Sequence, residues 1–181
     1  MRPLLVYCDN SGEMLAQELR PGDAGCTDTA DNIDIFRQAV EQLPGPHRRK
    51  ILFRTDGAGF SHGLLEWIAS AGGRRHPSFT WEYSTGWTFT QREMDAVLAV
   101  DALEKRTGRA VWQAALQADG TVREKAFAVE VTGLLGDLGT WPKGHRVFVR
   151  REPLHPRYAK DANAYEREHG VRLTAFATNT P

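Results

Sequence analysis

The chain has 181 residues, 41% hydrophobic and 25% charged, which suits one globular domain with a sizeable insertion and a real core. Its 23 Lys plus Arg balance 23 Asp plus Glu, so no net charge favours a polyanion or a membrane surface. Two cysteines, Cys8 and Cys26, exclude a disulfide framework, and the six histidines lack metal-ligand spacing. No apolar run approaches the ~20 residues of a membrane span, and the amino terminus lacks a signal-peptide layout, so the expected location is the cytoplasm.

Taken in chain order, Leu4–Cys8 reads as a strand, Asp9-Asn10-Ser11-Gly12 as a turn and Glu13–Leu19 as the returning strand, a β-hairpin. Cys8, in an apolar run, is expected in the core. Pro21-Gly22-Asp23-Ala24-Gly25 is a loop. Ile33, Phe36, Val40 and Leu43 make one apolar stripe, so a helix is expected over 31–43, stopped by Pro44-Gly45-Pro46. Basic residues then cluster at His47-Arg48-Arg49-Lys50, a solvated face in the ordinary case, as are Arg74-Arg75-His76 and Arg150-Arg151.

Ile51-Leu52-Phe53-Arg54-Thr55 is apolar and strand-prone, and it runs into Asp56-Gly57-Ala58-Gly59-Phe60 and then Ser61. This predicts a buried strand with Asp56 at its carboxyl end, where open α/β sheets gather ligands and metals. Gly57 and Gly59 allow a sharp turn beside it. Asp-Gly is also an ordinary turn pair. Ser61 is a good N-cap for a helix carrying Leu64, Leu65 and Ile68, which favours strand–turn–helix over a hairpin.

Phe79–Ser84 alternates apolar with polar and predicts a strand. Thr90 and Glu93 form a capping box for a helix faced with Met94, Val97 and Leu98. Segments 110–117 and 122–131 flank Asp119-Gly120 and predict a hairpin whose second arm is partly helical. Arg146–Arg151 and Leu173–Thr178 read as strands, and the polar stretch 155–170 as an exposed loop. A hairpin followed by helix–strand alternation implies a mixed sheet with helices on its faces.

In order, Pro3-Leu4-Leu5-Val6-Tyr7-Cys8-Asp9-Asn10-Ser11-Gly12-Glu13, Arg20-Pro21-Gly22-Asp23-Ala24, Arg54-Thr55-Asp56-Gly57-Ala58-Gly59-Phe60, Val149-Arg150-Arg151-Glu152-Pro153-Leu154-His155-Pro156 and Thr174-Ala175-Phe176-Ala177-Thr178-Asn179-Thr180 resemble an internal piece of a bacterial insertion-sequence transposase of the group 1 DDE domain type. The resemblance implies an α/β, ribonuclease H-like mixed sheet with flanking helices and a β-rich insertion, truncated at both ends. It divides the chain into a partial core at 1–108 and a β-rich region at 109–181 that ends before the helix of the catalytic glutamate. In that family three acids bind two Mg²⁺ or Mn²⁺ ions, which activate water or a 3′-hydroxyl for in-line attack on a phosphodiester. Asp56 matches the second of those acids, and hence a metal-ligand position.

The first catalytic aspartate of the family belongs just upstream of Leu4 and the glutamate downstream of Thr180, so the expected fragment holds one acid of three. Asp9 belongs to a turn, and Glu130 and Glu152 match no catalytic position. The strand missing by this reading would lie between Leu4–Cys8 and Ile51–Thr55, leaving them either paired directly or separated by a gap. The expected partners are DNA, as insertion-sequence ends and target, and the full-length transposase, with no membrane. Arg150 and Arg151 are the candidate nucleic-acid contacts. The alternative function is a non-catalytic module that binds DNA or transposase and modulates the full-length enzyme; a stand-alone nuclease using Asp56 is weaker, for want of partner acids.

Overall fold

The structure is a computed structural model that describes residues 2–20, 28–56, 61–74, 76–117 and 119–181. The expected loop at Pro21–Gly25, Cys26, the turn Gly57–Phe60 and Arg75 lie outside the described residues. The protein is a mixed α/β structure with a two-stranded sheet, β1-β2, and a six-stranded mixed sheet in the order β3-β4-β8-β7-β6-β5. By chain order these are β1 (Arg2–Tyr7), β2 (Met14–Arg20), α1 (Thr29–Gln42), β3 (Lys50–Thr55), α2 (His62–Ala69), β4 (Thr80–Trp87), α3 (Gln91–Thr107), β5 (Gln113–Leu116), β6 (Val122–Glu130), β7 (Arg146–Pro153), α4 (Ala164–His169) and β8 (Val171–Thr178).

Two compact units divide the chain. The first is Met1–Gly86 with Gly139–His145 and Thr178–Pro181; the second is Trp87–Leu138 with Arg146–Ala177. The boundary expected after Gly108 falls inside the second unit.

In the first unit, β1 and β2 pair antiparallel. α1 starts where the Asp28 carboxylate accepts from the amides of Ala30 and Asp31, and it ends before Pro44, which cannot continue it. Arg48 then folds back, donating from Nε to the Leu43 carbonyl at 2.7 Å and from Nη2 to the Glu41 carbonyl at 2.8 Å. One member of the first basic cluster therefore satisfies the orphan carbonyls of a helix end. Different positions on α1 serve two small cores. Ile35 and Ala39 pack with Leu4, Val6, Leu15 and Ala16 of the hairpin, whereas Ile33, Phe36 and Val40 pack with Phe53, Trp81 and the α2 residues Leu64, Leu65 and Ile68. Phe53 is the centre of the second set, with ring centroids 5.0 Å from Phe36, 5.2 Å from Trp81 and 6.2 Å from Trp67.

In the second unit, β5, β6 and β7 form antiparallel pairs. Val97, Val131, Val147, Val149 and Ala177 are fully buried in its core. The capping box read at Thr90 and Glu93 forms as expected.

Four expectations change. β3 is an edge strand with only Phe53 buried, not the buried strand expected; its neighbour Leu52 is 51% exposed. β6 is strand throughout, because its backbone pairs antiparallel with β5 along one edge and with β7 along the other. The polar stretch 155–170 contains α4, closed by a second capping box between Asn163 and Glu166 and by Gly170 at φ +64°. Cys8 is half-buried beside the hairpin turn, where a hydrogen bond with Ser11 holds its thiol below the usual range. Of the two arrangements left open for β1 and β3, direct pairing is not the one found: they stand in different sheets.

Candidate functional site

Asp56 follows β3 directly and is exposed. β3 and β4 run parallel with Thr55 opposite Thr85, and their hydroxyls lie 2.6 Å apart. The carboxyl ends of the two strands are thus pinned together one residue before Asp56. Beyond the undescribed turn, Ser61 caps α2, its hydroxyl accepting from the Leu64 amide at 3.3 Å and lying 2.7 Å from the Thr29 hydroxyl at the start of α1. Gly63 lets the two helices meet there, since a Cβ at this position would stand 2.8 Å from the Thr29 methyl carbon. Strand, acid and, beyond the undescribed residues, helix therefore follow one another as the sequence predicts.

Among the described residues, Asp56 belongs to no group of three carboxylates. Asp9 sits in the hairpin turn and faces Arg54 at 3.6 Å, both side chains well exposed. Among the described residues no group of three His, Cys, Asp or Glu side chains could hold a metal ion. Mg²⁺ needs more oxygen ligands than one exposed carboxylate supplies, so the described residues do not fit the ion that the resemblance implies.

A polar cluster that the sequence reading missed lies in the same unit. The Tyr83 hydroxyl on β4 is 2.7 Å from Nδ1 of His145, which is buried and stacks on Trp141 at 5.0 Å. His62, the first residue of α2, packs on the same Trp141 and bonds through Nε2 to the Thr140 carbonyl. Burial, helped by the positive form of His62, pushes the His145 pKa down to about 4. Burial likewise pushes the Tyr83 phenol up. At neutral pH both are uncharged, and the hydroxyl can donate to Nδ1 of a neutral imidazole. No local pattern announces this pair, because 62 residues separate its members.

Arg150 and Arg151 lie side by side on β7, so their side chains leave opposite faces of the strand and do not converge. Arg151 is sandwiched, its guanidinium 4.3 Å from the Trp112 ring and 5.1 Å from the Phe127 ring, and 3.9 Å from Asp101. Arg150 stands 3.6 Å from Glu152, two positions along the strand. No helix among the described residues is long and apolar enough to cross a membrane. No family model matches the chain, and neither a curated protein nor a solved structure matches it.

Proposed function

We propose that this chain is part of a DDE transposase built on a ribonuclease H-like core, with Asp56 as the second of its three catalytic acids. The observation that carries the reading is the unit at β3: a strand parallel to its neighbour, an acid at its carboxyl end, and a helix started by Ser61. The order of antiparallel hairpin, helix, strand, helix and strand before it and after it supports the same reading. In the complete enzyme, Asp56 would share Mg²⁺ or Mn²⁺ with two further carboxylates and act on insertion-sequence ends and target DNA. Taken alone, the chain is inactive in this reading, because one carboxylate cannot hold the ions.

The test has two arms. In the flanking DNA, an upstream frame encoding a strand that ends in Asp, and a downstream helix bearing Glu, are expected; unrelated genes on both sides count against the reading. With the open frame completed from those flanks, Asp56→Asn should abolish transposition while leaving the melting temperature near that of the parent. Normal transposition in that variant refutes the role of Asp56. The isolated chain should leave supercoiled plasmid intact in Mg²⁺ or Mn²⁺, and nicking that disappears in Asp56→Ala overturns the claim of inactivity.

A further inference from the structure

In the second unit, the chain between β7 and β8 places two arginines on one tyrosine. Pro156–Tyr158 forms one tight helical turn, begun where Nδ1 of His155 accepts from the Arg157 amide at 3.2 Å. The Tyr158 amide donates to the His155 carbonyl at 2.9 Å, and the Leu154 amide donates to the Gly170 carbonyl at 2.9 Å, which ties the turn to the start of β8. Arg157 and Arg172 thereby meet, although they are well separated in the sequence. The guanidinium carbon of Arg172 lies 3.5 Å from the centre of the Tyr158 ring, and that of Arg157 lies 4.4 Å from it. Arg157 also donates from Nη2 to the Tyr158 hydroxyl. Hydrogen bonding from Arg157 first, and from Arg172 next, holds the phenol below its usual range. What these two cations lack is an acid. Arg146, Arg150 and Arg151 of β7 face Glu130, Glu152 and Asp101 at 2.7, 3.6 and 3.9 Å. Among the described residues neither Arg157 nor Arg172 forms an ion pair. Two like charges gathered on a neutral ring repel each other, and an anion bound to both offsets that repulsion.

We propose that Arg157, Arg172 and Tyr158 form a phosphate-binding clamp. A guanidinium presents a planar fork of N–H donors that fits phosphate oxygens in pairs. A planar carboxylate is satisfied by one such fork. Two forks and a hydroxyl suit a tetrahedral anion, which carries oxygens in several directions. The Tyr158 oxygen accepts from Arg157, so the hydroxyl keeps its own proton to donate to the ligand. The ring backs both guanidiniums by cation–π contact and holds two flexible side chains in place beforehand, which lowers the ordering cost of binding. All three side chains reach solvent, Arg157 fully and the other two in part, so a ligand has access. Inorganic phosphate, a phosphomonoester and the diester backbone of a nucleic acid share the required chemistry. The inference does not rest on the transposase reading, since it uses only the turn, the two arginines and their missing counter-charge.

The experiment is an NMR titration of the full chain, read at the Nε–H groups of Arg157 and Arg172 and at the amides of the turn. The probes are inorganic phosphate and a short single-stranded oligothymidylate without terminal phosphates, with acetate and chloride as controls at matched ionic strength. Saturable shifts at both arginines are expected. Saturation by phosphate alone assigns the clamp to free phosphate or a monoester, and saturation by the oligonucleotide assigns it to a backbone diester. Arg157→Gln and Arg172→Gln should each weaken binding about tenfold, through loss of a charge-assisted contact. Tyr158→Phe keeps the ring and both cations but loses the hydroxyl, and should weaken binding about threefold. Arg167→Gln removes an exposed cation that bonds the Ala162 carbonyl, and should leave binding unchanged. No saturation by either phosphate probe overturns the proposal, and this is read on the parent chain before any variant is made. Equal shifts with acetate or chloride, or an equal loss in Arg167→Gln, overturn it too, because they assign the response to general charge. None of these outcomes depends on whether Asp56 binds metal.

Discussion

The two units bury polar groups in opposite ways. In the second, carboxylates are taken out of water and wrapped in donors. Glu93 is fully buried and accepts from the Trp87 indole at 2.9 Å, the Thr90 amide at 2.8 Å and Arg92 Nη2 at 3.1 Å. Glu166 accepts from the amides of Leu173 at 2.8 Å and Asn163 at 2.9 Å, and Asp101 from the Trp112 indole at 3.0 Å and the Tyr165 hydroxyl at 2.5 Å. Each such acid ties a helix to a neighbouring strand or loop. The first unit instead centres on neutral pairs, Tyr83 with His145 and Thr55 with Thr85, beside an aromatic cluster and two strand edges without a strand neighbour among the described residues. Its main buried charge is Arg20, 3.1 Å from Asp31. A frame closed by charged hydrogen bonds stands in contrast to a unit whose stability rests on packing and whose backbone is left open on one side.

Packing should therefore dominate the first unit, and the largest effect is expected there. Phe53 touches Phe36, Trp67 and Trp81, so Phe53→Ala should cost roughly 3–5 kcal/mol, the range for removing a core aromatic. Urea unfolding followed at Trp67 and Trp81 measures it; a loss below about 1 kcal/mol would mean that the α1–β3–α2 core is loose. The second unit should answer to acid instead. Burial alone would raise Glu93, but the bonds from Thr90, Trp87 and Arg92 override it and hold the carboxyl down at about 2. An acid depressed on folding contributes stability above its unfolded pKa, and that contribution is lost as pH falls from about 4.5 to about 2. At ~1.4 kcal/mol per unit it amounts to roughly 3 kcal/mol. Glu93→Gln should remove this part of the acid dependence, read at Trp87 and Trp112; an unchanged profile refutes it.

The first unit has its own acid window, at higher pH. His145 is held at about 4 against an ordinary 6.5, so the unfolded chain takes up a proton before the folded one does. Stability is then full above pH ~6.5 and declines as pH falls towards ~4, by at most about 3 kcal/mol. His145→Leu should flatten the unfolding midpoint between those limits. If instead both units lose stability in the same window, and the variant leaves that window in place, the contrast between them fails.

Much of the frame is legible in the sequence because its signals are local. The stripe of Ile33, Phe36 and Val40 gives α1, the Thr90–Glu93 spacing gives α3, and Asp56 after a strand-prone run gives the carboxyl end of β3. α4 escapes because its residues, Ala-Tyr-Glu-Arg-Glu-His, have no apolar stripe; its order comes from the caps Asn163 and Gly170 and from Glu166 reaching Leu173. The edge position of β3 is also hidden, since Ile51, Leu52 and Phe53 are all apolar and read as a buried strand. The Tyr83–His145 pair is a contact across 62 residues that no spacing rule links. Arg151 shows a further limit: a basic pair in a strand reads as a solvated edge or a phosphate-facing strip, and nothing local foretells that its guanidinium lies against two aromatic rings and Asp101.

The smallest effect is expected one residue from the largest. Leu52 precedes Phe53 on β3, so its side chain leaves the opposite face of the strand, and half of it meets solvent. Leu52→Thr removes exposed apolar surface and introduces a β-branched residue suited to a strand, so its cost should stay within ~0.5 kcal/mol. Set beside Phe53→Ala, this pair of neighbours tests whether β3 has one covered face or two. A cost above about 1.5 kcal/mol for Leu52→Thr would mean that the face is covered in solution. If that cost also grew with protein concentration, the cover would be another copy of the chain, and the picture of an open strand edge in the first unit would have to be given up.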